Sequence, residues 1–138
     1  MTPRQITLVE QTLAAVDIDD LTTDFYRRAF TTDPALAAMF TSDPKVQRTR
    51  FAAELAEIVC SIRSLDTFAA SARSLGINHR DYGVSAAHYR LMGNALVAAL
   101  AAALGSRWTD EVEEAWSLAY NLTAETMMLG AMDGQMEN

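Results

Sequence analysis

The sequence predicts an all-α fold, and three observations carry that prediction. Alanine and leucine are abundant in a chain of 138 residues whose apolar fraction is 50%, a composition that favours helix over strand. β-Branched residues are few and never alternate with polar ones over a strand's length. Each of the three prolines follows a side chain able to cap a helix, at Thr2-Pro3, Asp33-Pro34 and Asp43-Pro44. A cap followed by proline at the first helical position is a start signal, because that position needs no backbone donor.

The first helix, from Pro3, carries Ile6, Val9, Leu13 and Val16 on one face. Asp17, Asp19 and Asp20 break it and open a second helix, whose N-terminus their charge favours. This helix sets Leu21, Phe25 and Ala29 on one stripe and Tyr26 and Phe30 on the next, a face wide enough to be packed on two sides. Asp33-Pro34 starts a short helix, Ala35 to Phe40. Asp43-Pro44 starts a long one carrying Val46, Phe51, Leu55, Ile58, Val59 and Ile62. Ser64 or Asp66 caps a fifth, on which Phe68, Ala72, Leu75 and His79 follow at steps that put all four on one face. Gly83 ends it.

Ser85 caps a sixth helix running to Leu104, with Tyr89, Met92, Leu96, Ala99 and Ala103 inward and Gly105 as its stop. Thr109 caps the seventh, which has Asp110 and Glu111 in its first turn. It presents Val112, Trp116, Ala119, Tyr120 and Met127 before Gly130. About seven helices result, in a single domain over 1–138 whose tail, 130–138, is expected to fray. Sharp links in the first third favour angled packing over a parallel four-helix bundle.

Composition removes several function classes. A net charge of −7 and a pI near 4.7 argue against nucleic acid as partner. Arg27 with Arg28, and Arg48 with Arg50, make only local basic patches, read as solvated helix faces. The single cysteine, Cys60, excludes an internal disulfide or multi-cysteine metal cage and suits a reducing compartment. It reads as a small buried hydrophobe. The first twenty residues are amphipathic and end in acids, unlike a secretory signal. The apolar run from Ala95 to Leu104 is too short to span a bilayer. A cytoplasmic location without a membrane partner is expected. No glycine-rich nucleotide loop and no nucleophile elbow occurs.

Chemistry is left to few residues. Both histidines fall between Leu75 and Tyr89. His79 ends an apolar helix face. On spacing alone such a histidine is more often a satisfied core residue than a metal ligand, and both readings stand at this point. A buried imidazole needs a partner for each nitrogen, and a haem iron plus a backbone carbonyl of the preceding turn would supply both. His88 lies beyond Gly83 in another helix, cannot share a face with His79, and reads as a partly exposed residue at a helix start. Zinc and di-iron patterns are missing. Tyr26, set among apolar neighbours, needs a hydrogen-bond partner if buried. Gln47 shares a helix face with Phe51.

From about Thr7 to Gly130 the chain resembles the globin domain of bacterial flavohaemoglobins and of related single-domain bacterial haemoglobins. The resemblance rests on D-F-Y-R-R-A-F at 24–30, L-A-A-M-F at 36–40, Q-R-T-R-F at 47–51, H-R-D-Y-G-V-S-A-A-H-Y at 79–89 and L-G-S-R-W-T-D-E-V-E-E-A-W-S-L-A-Y at 104–120. The H-x-x-x-G-V-x-x-x-H-Y run is the most specific of these. The resemblance implies a globin fold, a b-type haem and His79 as proximal iron ligand. It implies Phe40 packed on the haem, and Tyr26 and Gln47 as distal hydrogen-bond donors to a bound diatomic gas. Phe51 falls where the family usually has leucine roofing the distal pocket, and Tyr89 matches a tyrosine behind the proximal histidine. Two departures stand out. The loop between Phe40 and Gln47 is about three residues shorter than the family's common form. A glutamate that the family places late in the last helix, hydrogen-bonded to the proximal histidine system, aligns with Ala131.

The function so implied is reversible binding of dioxygen, nitric oxide or carbon monoxide. One alternative is nitric oxide dioxygenation, which turns over only with electrons from an external flavin reductase. Another is a haem-based gas sensor or a haem-free helical interaction module. The expected assembly is a monomer or a homodimer.

Overall fold

The structure, a computed structural model, describes residues 1–81 and 83–136. Helices account for all its regular secondary structure among these residues. They are α1 (Pro3–Ala14), α2 (Ile18–Thr32), a 3-10 helix (Pro34–Met39), α3 (Pro44–Ser61), α4 (Leu65–Asp81), α5 (Ala86–Leu104), a 3-10 turn (Gly105–Arg107) and α6 (Asp110–Met136). All seven expected segments are present, the third as a 3-10 helix, and the turn after Gly105 is additional.

The cap chemistry is as the sequence implies. Thr2 and Gln5 form a capping box, and Asp17, Asp33 and Asp43 each accept a first-turn backbone N–H. Thr109 Oγ1 accepts from Val112 N at 3.2 Å. At the end of α4, Gly83 N donates to the Arg80 carbonyl at 2.9 Å and Val84 N to the His79 carbonyl at 3.2 Å. With Gly83 at φ +79°, this is a Schellman turn, which only glycine enters without strain.

The helices pack around one apolar core. α4 packs on α6, α2 on α5, α1 on α6, and α3 reaches both α2 and α4. Val9, Leu21, Phe25, Ala29, Leu100 and Trp116 are fully enclosed. The α4–α6 contact is unusually close, because Gly76 and Gly130 each face the other helix's backbone. On α5, Gly93 admits the ring of Tyr120, whose hydroxyl donates to the Tyr89 carbonyl at 2.5 Å.

Four expectations are corrected. Cys60 is exposed, because Ile58, Val59 and Ile62 take the buried face of α3 and leave it on the outer side. Val46 is 50% exposed, since the first turn of α3 projects past the core. Ala103 is also exposed; the inner face of α5 drifts to Leu100 and Leu104, as 3.6-residue periodicity requires. Gly130 does not end the last helix. α6 runs through it to Met136, and the final two residues of the expected tail lie outside the described residues.

Candidate functional site

Between α3 and α4 lies a cavity of about 510 Å³, within the range of about 300–1,000 Å³ that holds small molecules and cofactors. Its lining brings together all six residues that the sequence singles out: Tyr26 from α2, Phe40 from the link before α3, Gln47 and Phe51 from α3, His79 from α4, and Tyr89 from α5. Leu36, Leu75, Met92 and Met127 extend its apolar wall.

His79 is held from behind. Its Nδ1 donates to the Leu75 carbonyl one turn earlier, at 2.7 Å, which fixes the ring about its own helix. The other nitrogen, Nε2, has no hydrogen-bond partner among the described residues. The Tyr89 ring lies nearly parallel to the imidazole, with centroids 6.2 Å apart and planes 29° apart. Burial raises the pKa of the Tyr89 phenol, keeping it protonated.

Elsewhere in the lining Tyr26 sits in a cage of phenylalanines. Its ring is 5.0 Å from Phe25, 5.6 Å from Phe40, 5.7 Å from Phe30 and 5.9 Å from Phe51, by centroids. Phe25 and Phe51 stack at 4.4 Å. Edge contacts of this kind orient a ring without binding its hydroxyl. The Tyr26 hydroxyl and the Gln47 amide make no hydrogen bond with the protein among the described residues, so each is available to a third party. Burial, and secondarily the charge of Glu54, push the Tyr26 pKa up to about 12. The phenol is therefore a donor throughout the neutral range.

His88 also lines the cavity, yet its Nδ1 is committed: it accepts from Ser85 N at 3.0 Å in the capping box that opens α5. This is the helix-start role expected for it. Arg27 and Arg28 both pair with Asp24, as solvated helix faces do. The Ala131 carbonyl accepts a hydrogen bond from Arg80 Nη1 at 3.4 Å. Sequence reasoning missed Glu54, which lines the cavity one step beyond Phe51. Its place at a three-residue step from Phe51 was the available signal, masked because charges on helices usually mark the wet face.

Among the described residues no group of three or more histidine, cysteine, aspartate or glutamate side chains is placed to hold a bare metal ion. No helix among them is long and apolar enough to cross a membrane.

Comparison with known proteins identifies the family and the fold. The family model described as Globin matches residues 23–127. The flavohemoprotein of Bacillus subtilis is 28% identical over 113 residues, covering 80% of this chain and 28% of that protein. The flavohemoprotein of Vibrio cholerae is 24% identical over 133 residues, covering 93% of this chain and 34% of its own length. The chain thus spans about a quarter to a third of these relatives. A solved structure described as that of a hexacoordinated heme protein from an anhydrobiotic tardigrade superposes with a TM-score of 0.84 over 96% of both chains, at 15% identity.

Proposed function

The chain belongs to the globin family, and on that premise we propose that it holds a b-type haem through His79 and reversibly binds neutral diatomic gases in the cavity. The observation that carries this reading is the set of polar groups gathered in one apolar cavity. Among the described residues, His79 has Nδ1 tied to Leu75 and Nε2 without a partner, and the Tyr26 hydroxyl and Gln47 amide, in the same lining, make no hydrogen bond with the protein.

The residues present fit a haem. An imidazole with one nitrogen tied to a carbonyl and the other without a partner among the described residues fits the donor set of a haem ligand. When bound, the haem would supply an iron able to bind a diatomic gas. Everything else falls to the chain. Leu75 fixes the imidazole tautomer and angle. Phe40, Phe51 and the apolar wall exclude water. Tyr26 and Gln47 donate hydrogen bonds to a ligand carrying partial negative charge, each contributing roughly 1.5–3 kcal/mol when well placed.

Nitric oxide dioxygenation is the second reading, and one observation weighs against it. The Nδ1 partner of His79 is a neutral carbonyl, and the resemblance aligns Ala131, which has no carboxylate, with the family's glutamate. Such turnover also requires an electron donor in the cytoplasm, where we place the protein.

The test is the absorption spectrum of the haem-reconstituted protein in ferric, ferrous and carbon monoxide forms. A Soret band that shifts with carbon monoxide is expected, with haem retention lost in His79→Ala. No Soret band after reconstitution, or a spectrum unchanged by His79→Ala, overturns the assignment. Steady-state nitric oxide consumption with a flavin reductase supplied separates the second reading from the first.

A further inference from the structure

Glu54 is the cavity group that gas binding through His79, Tyr26 and Gln47 leaves without a task. It stands on α3 three residues after Phe51 and seven after Gln47, and so shares the face those two turn to the cavity. It is half-buried there. Carboxylates are seldom withdrawn from water without a partner, yet Glu54 makes no hydrogen bond or salt bridge among the described residues.

The groups that act on it do so through space. Arg50 lies one turn earlier on the same helix, is largely exposed and touches the rim of the same cavity; Glu57 is on the next turn, and His79 on α4 and Tyr26 on α2 also act on it. Burial is the largest influence on its carboxyl and raises its pKa. The result is an acidic group in a mostly apolar enclosure, where charges are weakly screened.

We infer that Glu54 is a specificity-determining residue of the cavity, whose carboxylate disfavours anionic ligands and leaves the site open to neutral diatomic ones. A second negative charge entering the same low-dielectric space is repelled. Carbon monoxide, nitric oxide and dioxygen enter without net charge and escape that penalty. The inference rests on haem occupying the cavity with His79 as its ligand.

The test compares azide binding to the ferric holoprotein with carbon monoxide binding to the ferrous holoprotein, for wild type, Glu54→Gln and Glu54→Asp. It is run at about pH 8.5, well above the ordinary carboxylate range, because burial raises this carboxyl's pKa. Glu54→Gln is expected to bind azide about tenfold more tightly or better, with carbon monoxide affinity unchanged and Glu54→Asp close to wild type. Should Glu54→Gln fail to take up haem, Glu54→Thr gives the same readout. Azide affinity unchanged in the neutral variant overturns the inference, as does an equal gain for both ligands, which would mean a steric effect. A wild-type protein that gives no carbon monoxide spectrum overturns the haem reading instead, so the two failures are distinguishable.

Discussion

Gly76 on α4 lies against the Met127 backbone on α6 so closely that a Cβ at Gly76 would stand 1.8 Å from the Met127 carbonyl oxygen. Gly130 does the same from the other side, with a Cβ placed 2.5 Å from the Arg73 carbonyl oxygen. His79 is one turn along α4 from this crossing. Gly76→Ala must therefore force the two helices apart, since a backbone oxygen cannot swing aside as a side chain can. A stability loss of at least about 1–3 kcal/mol is expected in urea denaturation. In the haem-loaded variant the iron–histidine stretching band should also shift in resonance Raman spectra. An unaltered midpoint and band would show that the crossing carries no weight.

Trp116 Nε1 donates to Thr12 Oγ1 at 2.8 Å inside the core, while that hydroxyl donates to the Leu8 carbonyl at 2.6 Å. Thr12→Val keeps the shape and removes the acceptor, leaving a buried indole N–H unpaired. A cost of about 1–3 kcal/mol is expected, read as a lower denaturation midpoint with an unchanged slope. The loss should be smaller in a Trp116→Phe background, where there is no N–H to strand.

Tyr26→Phe removes one hydroxyl and leaves the ring in its cage of phenylalanines. If the hydroxyl serves the gas, dioxygen release measured by stopped flow should quicken by roughly tenfold to a hundredfold. Carbon monoxide, a poorer hydrogen-bond acceptor, should change much less. Equal effects on the two gases would mean that the hydroxyl acts by volume.

The same residue gives the apoprotein an alkaline signature. Tyr26 ionises near 10.0 when unfolded, and in the folded chain its pKa is pushed up to about 12 by burial. Above the lower value the unfolded state releases a proton that the folded state keeps, so stability falls as pH rises from about 10 to 12. The loss is about 3 kcal/mol if the whole difference is expressed. Burial raises Tyr89 and Tyr120 in the same direction. The contribution of Tyr26 is therefore the part of the slope that Tyr26→Phe abolishes.

Local chemistry was readable from the sequence; long-range geometry was not. The Asp33-Pro34 and Asp43-Pro44 starts and the Ser85 cap depend on neighbours within a few residues, and all three occur as expected. Val46 and Cys60 were misplaced because both occur within an apolar pattern whose phase is fixed only by what α3 packs against. Gly130 reads as a helix stop because local sequence cannot distinguish a stop from a glycine needed where another backbone passes. At the cavity, spacing leaves His79 open between core residue and ligand, and the roles of His79, Tyr26 and Phe40 follow from the resemblance to the globin family. Glu54 was not legible, since its burial depends on α2 and α4 closing over it. The Thr12–Trp116 bond joins residues 104 positions apart, and nothing in either neighbourhood announces the other.

The Schellman turn after α4 has a consequence for local unfolding. Helix ends fray because their last carbonyls lack partners, and His79 is close enough to its helix end to be exposed to that process. Here the His79 carbonyl is secured by Val84 N–H, immediately before the capping box that starts α5. Melting the last turn of α4 therefore also costs the start of α5, joining two helices into one cooperative opening unit. The residue proposed to carry the iron is guarded against end-fraying, and the Val84 amide should exchange its hydrogen as slowly as the interior of α4.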